Sequence, residues 1–232
     1  MNYQTAISDI ETQLRDYLGG RKAVIGISGG IDSAVVAALC GEAIGKERVL
    51  GVSMPYGNQN TEDTNLVIRH LGINSREVNI KGIVDNFNFL NLDRLSKGNL
   101  MARARMCVLY AFANQLEGLV IGTSNKSEIE IGYFTKNGDG GVDIEPLGDL
   151  YKTEVFEVAK IIRLPKKTID NKPSAGLWEG QTDENDFGMT YQELDAVLKG
   201  EINSGEIYEK VQKLIKATEH KRKMPPIFKV KR

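Results

Sequence analysis

The feature that most constrains this chain is the hexapeptide Ser28-Gly29-Gly30-Ile31-Asp32-Ser33. Residues 23–27 before it (Ala, Val, Ile, Gly, Ile) are rich in β-branched side chains and read as a buried strand. Residues 32–43 after it read as an amphipathic helix with Ala34, Val35, Ala38 and Leu39 on one face. Strand, glycine loop and helix start together make an anion site. The glycines allow close backbone approach, and the first free N–H groups of the helix point at the ligand. Ser28 and Ser33 add hydroxyl donors. A carboxylate in such a place, Asp32, makes chemical sense if it holds a divalent metal.

Further strands are predicted over 49–54 and 119–122, and residues 78–80 read as the end of a short third strand. Helices are predicted over 3–18, 61–71, 99–116, 152–162, 191–198 and 207–217, with Thr61 as a cap and Gly72 as a stop. Strands alternating with helices predict an α/β fold, a mostly parallel twisted sheet with helices on both faces. Ligands of such sheets bind at the carboxyl ends of the strands. The Ser28 loop, Ser53-Met54-Pro55 and Thr123-Ser124 all lie there. The 232 residues read as one domain, with long functional loops near 133–150 and 166–189. The tail 220–232 is basic through Lys221, Arg222, Lys223, Lys229, Lys231 and Arg232. It reads either as a frayed terminus or as a segment that folds over an anionic ligand.

A net charge of −1 gives no electrostatic reason to expect nucleic acid. No apolar run approaches the roughly 18 residues that span a bilayer, and no signal peptide precedes residue 20, so a cytoplasmic protein is expected. Both cysteines, Cys40 and Cys107, fall in apolar helical patterns and read as buried core thiols; no C-x-x-C supports a metal or dithiol centre.

The hexapeptide resembles the pyrophosphate loop of the N-type ATP pyrophosphatases, which split ATP into AMP and pyrophosphate. Neither G-x-x-x-x-G-K-[ST] nor a dinucleotide G-x-G-x-x-G occurs at this strand, which counts against a redox protein that binds NAD. The later blocks are more specific. They are Gly51–Tyr56, Lys97–Met106, Gly122–Glu128, Gly132–Asp143, Pro146–Thr153, Lys172–Trp178 and Gly180–Glu184. In this order they resemble the ammonia-dependent NAD synthetase family, from the loop to His220-Lys221.

The resemblance implies an adenine nucleotide alpha hydrolase-like, Rossmann-like fold and a ligase acting at the last step of NAD biosynthesis. The nicotinate carboxylate of deamido-NAD attacks the α-phosphorus of ATP, giving an NAD-adenylate and pyrophosphate. Ammonia then displaces AMP. The resemblance also implies residue roles. Gly26, Ile27, Ser28, Gly29, Gly30, Ile31, Asp32, Ser33, Thr123, Lys152 and Ser174 would contact ATP. Asp32 and Glu128 would hold Mg2+, with Lys152 stabilising charge on the phosphates. Arg103, Lys136, Asp143, His220 and Lys221 would contact deamido-NAD. Arg103 and Arg105, two apart on a helix, cannot share a face, so at most one is a ligand contact. Trp178 reads equally as a core anchor or as an adenine or lid contact.

The family is typically a homodimer. Its glutamine-dependent members carry an amidohydrolase domain, for which no room precedes the loop, so free ammonia or a separate ammonia-supplying protein is expected as the nitrogen source. Other ATP pyrophosphatases that thiolate tRNA would call for cysteines near the site and a basic surface. A non-catalytic nucleotide sensor would not require Asp32, Glu128 and Lys152 together.

Overall fold

The computed structural model describes residues 1–174, 176–178 and 180–230. Ala175 of the Lys172–Trp178 block and the last two basic residues of the tail, Lys231 and Arg232, lie outside the described residues. The elements run α1 (Tyr3–Leu18), β1 (Lys22–Gly26), α2 (Ile31–Ile44), β2 (Val49–Ser53), α3 (Glu62–Leu71), β3 (Asn74–Glu77), α4 (Lys81–Asp85), α5 (Arg94–Leu116), β4 (Gly118–Ile121) and α6 (Lys126–Ile131). There follow α7 (Lys152–Ile161), α8 (Lys166–Asp170), α9 (Asp183–Phe187), α10 (Tyr191–Leu198), α11 (Glu206–Ala217) and α12 (Glu219–Arg222).

Among the described residues the strands form one sheet of order β3-β2-β1-β4, every pair parallel. Ile25 of β1 stands between Gly51 of β2 and Ile121 of β4. Successive strand side chains point to opposite faces. Ala23, Ile25, Val49 and Ile121 therefore enter a core with α1, α2 and α7, while Val24, Leu50, Val52 and Val120 enter a second core with α5. A third cluster joins Ile131 to Phe187, Tyr191, Leu194 and Val211, so α6, α9, α10 and α11 form a separate apolar unit beside the strand ends.

The α/β expectation holds, with local differences. α2 is not amphipathic: it is buried nearly all round, because α1 and α7 cover the face turned away from the sheet. The third strand lies earlier than 78–80. It is the polar edge segment Asn74–Glu77, with Val78 N donating to Ser53 O (2.9 Å) and Ile80 N to Pro55 O (2.9 Å) beyond its end. Edge exposure removes the apolar alternation by which a strand is read.

α5 begins five residues before the expected start, because Asp93 caps it by accepting from Ser96 N (2.7 Å). Thr61 does not cap α3 with its side chain; Asn60 Oδ1 accepts from Glu62 N (2.8 Å) instead. Gly72 ends α3 in the left-handed conformation, as expected. Cys40 is buried, and burial pushes its thiol up to about 12, but Cys107 is exposed on the outer side of α5. The 166–189 stretch is not one loop: it contains α8 and α9. No helix among the described residues is long and apolar enough to cross a membrane.

Candidate active site

Beyond β1 the chain turns through Gly29, at φ +86°, into α2 with Gly30 at its N-cap. Ser28 and Ser33, read as donors to a ligand, also bond within the loop, Ser33 as donor and Ser28 as acceptor. Gly30 N donates to Ser28 Oγ (3.1 Å), Ser33 Oγ donates to Gly30 O (3.0 Å), and Ser28 N donates to Ser33 Oγ (3.3 Å). The hydroxyls thus brace the loop, and its backbone faces a cavity of about 750 Å³.

The chemistry sits where α2, α6 and α7 begin. Glu128 is fixed by the capping box of α6: Asn125 N donates to Glu128 Oε2 (3.3 Å), and Glu128 N donates to Asn125 Oδ1 (3.1 Å). Asn125 Nδ2 also donates to Asp32 Oδ1 (3.0 Å). Lys152, the first residue of α7, is 1% exposed, and its Nζ donates to Asp32 Oδ2 (2.5 Å) and Glu128 Oε1 (3.2 Å). Burial would lower its pKa, but Asp32 and Glu128 outweigh that and hold the ammonium well above the ordinary lysine range. The Tyr191 ring lies 4.9 Å from Nζ.

A third carboxylate closes the group. Tyr191 OH lies 2.8 Å from Asp183 Oδ2 and 3.1 Å from Glu128 Oε1. A phenol has one proton, so both contacts are satisfied together only when one carboxyl is protonated. Burial, set against Lys152 and assisted by Asp32, pushes Glu128 up to about 7, and burial likewise raises Asp183. Tyr133 OH reaches Asp186 Oδ2 (2.7 Å) and Asp183 Oδ1 (3.2 Å), and the Phe187 ring packs edge-on between Tyr133 and Tyr191.

The cavity is lined by Gly26 through Ser33, Thr123, Glu128, Lys152, Ser174 and Lys221. The structure thus brings the expected ATP and metal residues together. Lys221 Nζ donates to Gly132 O and Phe134 O (both 2.7 Å). The other four residues of the expected dinucleotide set do not line the cavity. Arg103 is exposed and donates to Lys136 O (3.3 Å); Lys136 Nζ donates to the carbonyl of the exposed His220 (2.6 Å). Asp143 accepts from Val120 N (2.8 Å) and Tyr110 OH (3.1 Å), tying the following loop to β4. Arg105, not Arg103, lines the cavity, its Nε donating to Met54 O at the end of β2 (3.1 Å). Sequence reasoning also missed Asp183, Tyr133 and Tyr191. The signals present were the Gly132–Asp143 and Gly180–Glu184 blocks, which contain Tyr133 and Asp183, and for Tyr191 only the start of the 191–198 helix.

Can these residues hold a divalent ion? Asp32, Glu128 and Asp183 surround one lysine, so the site is net negative at the mouth of a phosphate loop. Phosphates would be repelled there without a cation. No group of three or more metal-ligating side chains converges among the described residues. Two carboxylates completed by phosphate oxygens and water are what Mg2+ ordinarily takes. The residues fit the ion.

Behind β4, Glu145 accepts from Ser124 N (3.0 Å), and burial pushes its pKa up to about 8. Its folded pKa lies above the unfolded 4.5, so the native state holds an extra proton between those values and loses stability as pH rises through that window. Glu145→Gln, which keeps an acceptor for Ser124, is expected to raise stability by about 1–3 kcal/mol at pH 8.5 and by little at pH 5. Melting curves of both proteins at the two pH values decide this; an equal difference at both would mean that Glu145 does not titrate there.

Fold and site define a parallel α/β nucleotide-binding protein with a lysine–carboxylate centre at the end of its phosphate loop. The NAD synthase family model matches residues 4–225, and the chain belongs to that family. It is 52% identical over 220 residues to the NH3-dependent NAD+ synthetase of Pyrococcus furiosus, covering 87% of this chain and 86% of that one. Among solved structures it is similar to the NMN synthetase of Francisella tularensis (TM-score 0.93, 37% identity, 99% of this chain and 100% of that chain). It is also similar to the NH3-dependent NAD synthetase of Campylobacter jejuni (TM-score 0.85, 30% identity, 99% and 100%).

Proposed function

We propose that this protein is an ammonia-dependent ligase that converts deamido-NAD to NAD at the expense of ATP, the whole chain acting as one ATP pyrophosphatase domain. The observation that carries this is the centre Asp32–Lys152–Glu128 at the end of the phosphate loop, in a chain of the NAD synthase family. A carboxylate is a poor electrophile because oxide leaves badly. Transfer of AMP to it provides a good leaving group. The loop N–H groups hold the phosphates, and Lys152 neutralises the charge that grows on pyrophosphate as the α-phosphorus bond breaks.

Mg2+ held by Asp32 and Glu128 would supply further neutralisation of the phosphates. In the second step ammonia adds to the activated carbonyl, AMP leaves, and one proton is released. Asp183, which is not one of the two metal-holding carboxylates, lines the cavity, and burial holds it above the ordinary carboxylate range, which suits it as the acceptor for that proton. Arg103, Lys136, Asp143 and His220 would bind the dinucleotide outside the cavity described here, and Lys221 within it. A homodimer and a cytoplasmic location complete the proposal; Phe89 and Leu90 are exposed large apolar side chains that a second subunit would cover.

A second reading is favoured by one observation, the TM-score of 0.93 to a structure described as an NMN synthetase. On it the acceptor is the mononucleotide rather than the dinucleotide. Purified protein with ATP and Mg2+ should be offered deamido-NAD or nicotinic acid mononucleotide, each with ammonium or with glutamine. We expect NAD from deamido-NAD with ammonium, and little product with glutamine alone. A higher kcat/KM for the mononucleotide would replace the first reading with the second, and turnover of neither would overturn both.

A further inference from the structure

We propose that Asp195 is a positioning residue of this reaction, acting through Lys152; the inference rests on the function proposed above. Asp195 lies on α10, one turn after Tyr191 and on the same face. It is 2% exposed, and no lysine or arginine pairs with it among the described residues. A buried carboxylate needs strong donors in place of a cation. It receives three: Thr153 N (2.9 Å) and Thr153 Oγ1 (2.7 Å) to one oxygen, and the Ser127 hydroxyl to the other.

These donors tie the first turns of two helices together. Thr153 follows Lys152 at the start of α7, where a carboxylate also meets the positive end of the helix. Ser127 precedes Glu128 at the start of α6. The Ser127 hydroxyl has a single proton, which the Asp195 carboxylate takes. Its lone pair is thereby turned to Lys152 N, which donates to it at 2.9 Å. Asp195 thus sets the direction of the hydrogen bond that joins the backbone of Lys152 to α6. The separation of Lys152 Nζ from Glu128 Oε1, 3.2 Å, is the distance between the side chains carried by these two turns. Displacements of about 1 Å at a reacting centre cost up to about 10²-fold in rate.

Asp195→Asn keeps the shape and one acceptor oxygen. If that oxygen stays on Thr153, the amide faces Ser127, whose hydroxyl must accept from it, and the proton it gave to Asp195 loses its acceptor. We expect Asp195→Asn to lower kcat about 30-fold while KM for ATP stays within about threefold, because charge on the leaving pyrophosphate is met by Lys152 mainly in the transition state. In the Lys152→Ala background the same change should cost less than about twofold, since two residues acting through one contact are not additive. A purely structural role would cost the same in both backgrounds, and that result would overturn the proposal.

Should Asp195→Asn not fold, Ser127→Ala leaves the Thr153 cap intact and removes the hydroxyl that joins Asp195 to Lys152 N. It should lower kcat about fivefold, again not in Lys152→Ala; a wild-type kcat in Ser127→Ala would overturn the proposal. A readout independent of turnover is acetylation of Lys152 by acetic anhydride, followed by mass spectrometry with the exposed Lys160 of the same helix as reference. Asp195→Asn, or Ser127→Ala in its place, should raise the relative Lys152 rate about tenfold, and an unchanged ratio would count against the role. If wild type turns over neither nicotinate substrate, the function proposed above fails, while the labelling ratio still decides whether Asp195 holds Lys152.

Discussion

Replacing Lys152 by alanine should lower kcat by about 10²–10³-fold, the usual cost of removing one preorganised group that meets developing charge. Lys152 Nζ is the cation between Asp32 and Glu128 at the phosphate loop. Without it the cavity presents three carboxylates, Asp32, Glu128 and Asp183, to a polyanionic substrate. KM for ATP should change less than kcat, because the loop backbone proposed to hold the phosphates is untouched. Lys152→Arg should not restore activity: one compact ammonium lies between Asp32 Oδ2 (2.5 Å) and Glu128 Oε1 (3.2 Å), and a longer planar guanidinium does not reproduce that point charge.

The same substitution should destabilise the protein by about 3–5 kcal/mol at pH 8, since it breaks a buried ion pair from one side. The sign of the pH dependence follows from Glu128. Lys152 is the group that lowers its pKa against burial, so without the lysine that pKa rises further above about 7. Protonation then relieves the unpaired charge, and the stability deficit of Lys152→Ala should shrink as pH falls from 8 to 5. Turnover within tenfold of wild type, or a deficit independent of pH, would remove Lys152 from the centre of the chemistry.

How far could this centre be read from the chain alone? The parallel sheet was legible because strands and helices alternate and β1, β2 and β4 are short apolar runs, whereas the polar β3 was not. The glycine loop and the helix after it were legible because glycines and Asp32 sit between two strongly patterned elements. Glu128 had a local cause, the Asn125-x-x-Glu128 box that also starts α6. Lys152 stood out as a cation at a helix start, where the dipole opposes it.

What was not legible is what packing decides. The periodicity of α5 does not say whether Arg103 or Arg105 meets the end of β2. Nor does it say that Cys107 faces outward, since all three lie on a helix buried on one side only. Asp183, Tyr191 and Asp195 come from helices more than 50 residues from Glu128 in sequence, brought in by the apolar unit around Phe187 and Leu194. Each looks like an ordinary polar residue of a short helix until that unit docks. Ser33 shows the converse: its hydroxyl reads as a ligand donor, yet within the loop its proton goes to Gly30 O.

Three glycines separate the forces that hold that turn. Gly29 combines φ +86° with no space: a Cβ there would lie 2.8 Å from Thr64 N and 2.9 Å from Asp63 Cβ, at the first turn of α3. Gly72 has φ +66° and open space, with nothing within 4 Å. Gly30 has an ordinary φ of −77°, and its Cβ would meet Ser28 Oγ at 3.2 Å. Gly72→Ala should therefore cost only the backbone term, about 1 kcal/mol. Gly30→Ala should cost less than that in stability, because a hydroxyl can rotate by a few tenths of an ångström.

Gly29→Ala must carry the backbone term and also push α3 or the loop aside, about 2–4 kcal/mol together. For a chain of this size that is a fall of roughly 5–15 °C in Tm. Moving the loop also moves the N–H groups aimed at phosphate, so ATP affinity should fall at least about 100-fold in Gly29→Ala and remain near wild type in Gly72→Ala. Melting curves and calorimetric titration with ATP and Mg2+ on the three variants give both quantities. If Gly29→Ala melts with Gly72→Ala, the close approach of α3 is not what shapes the loop. If it melts far lower yet binds ATP normally, the loop is not where the phosphates sit.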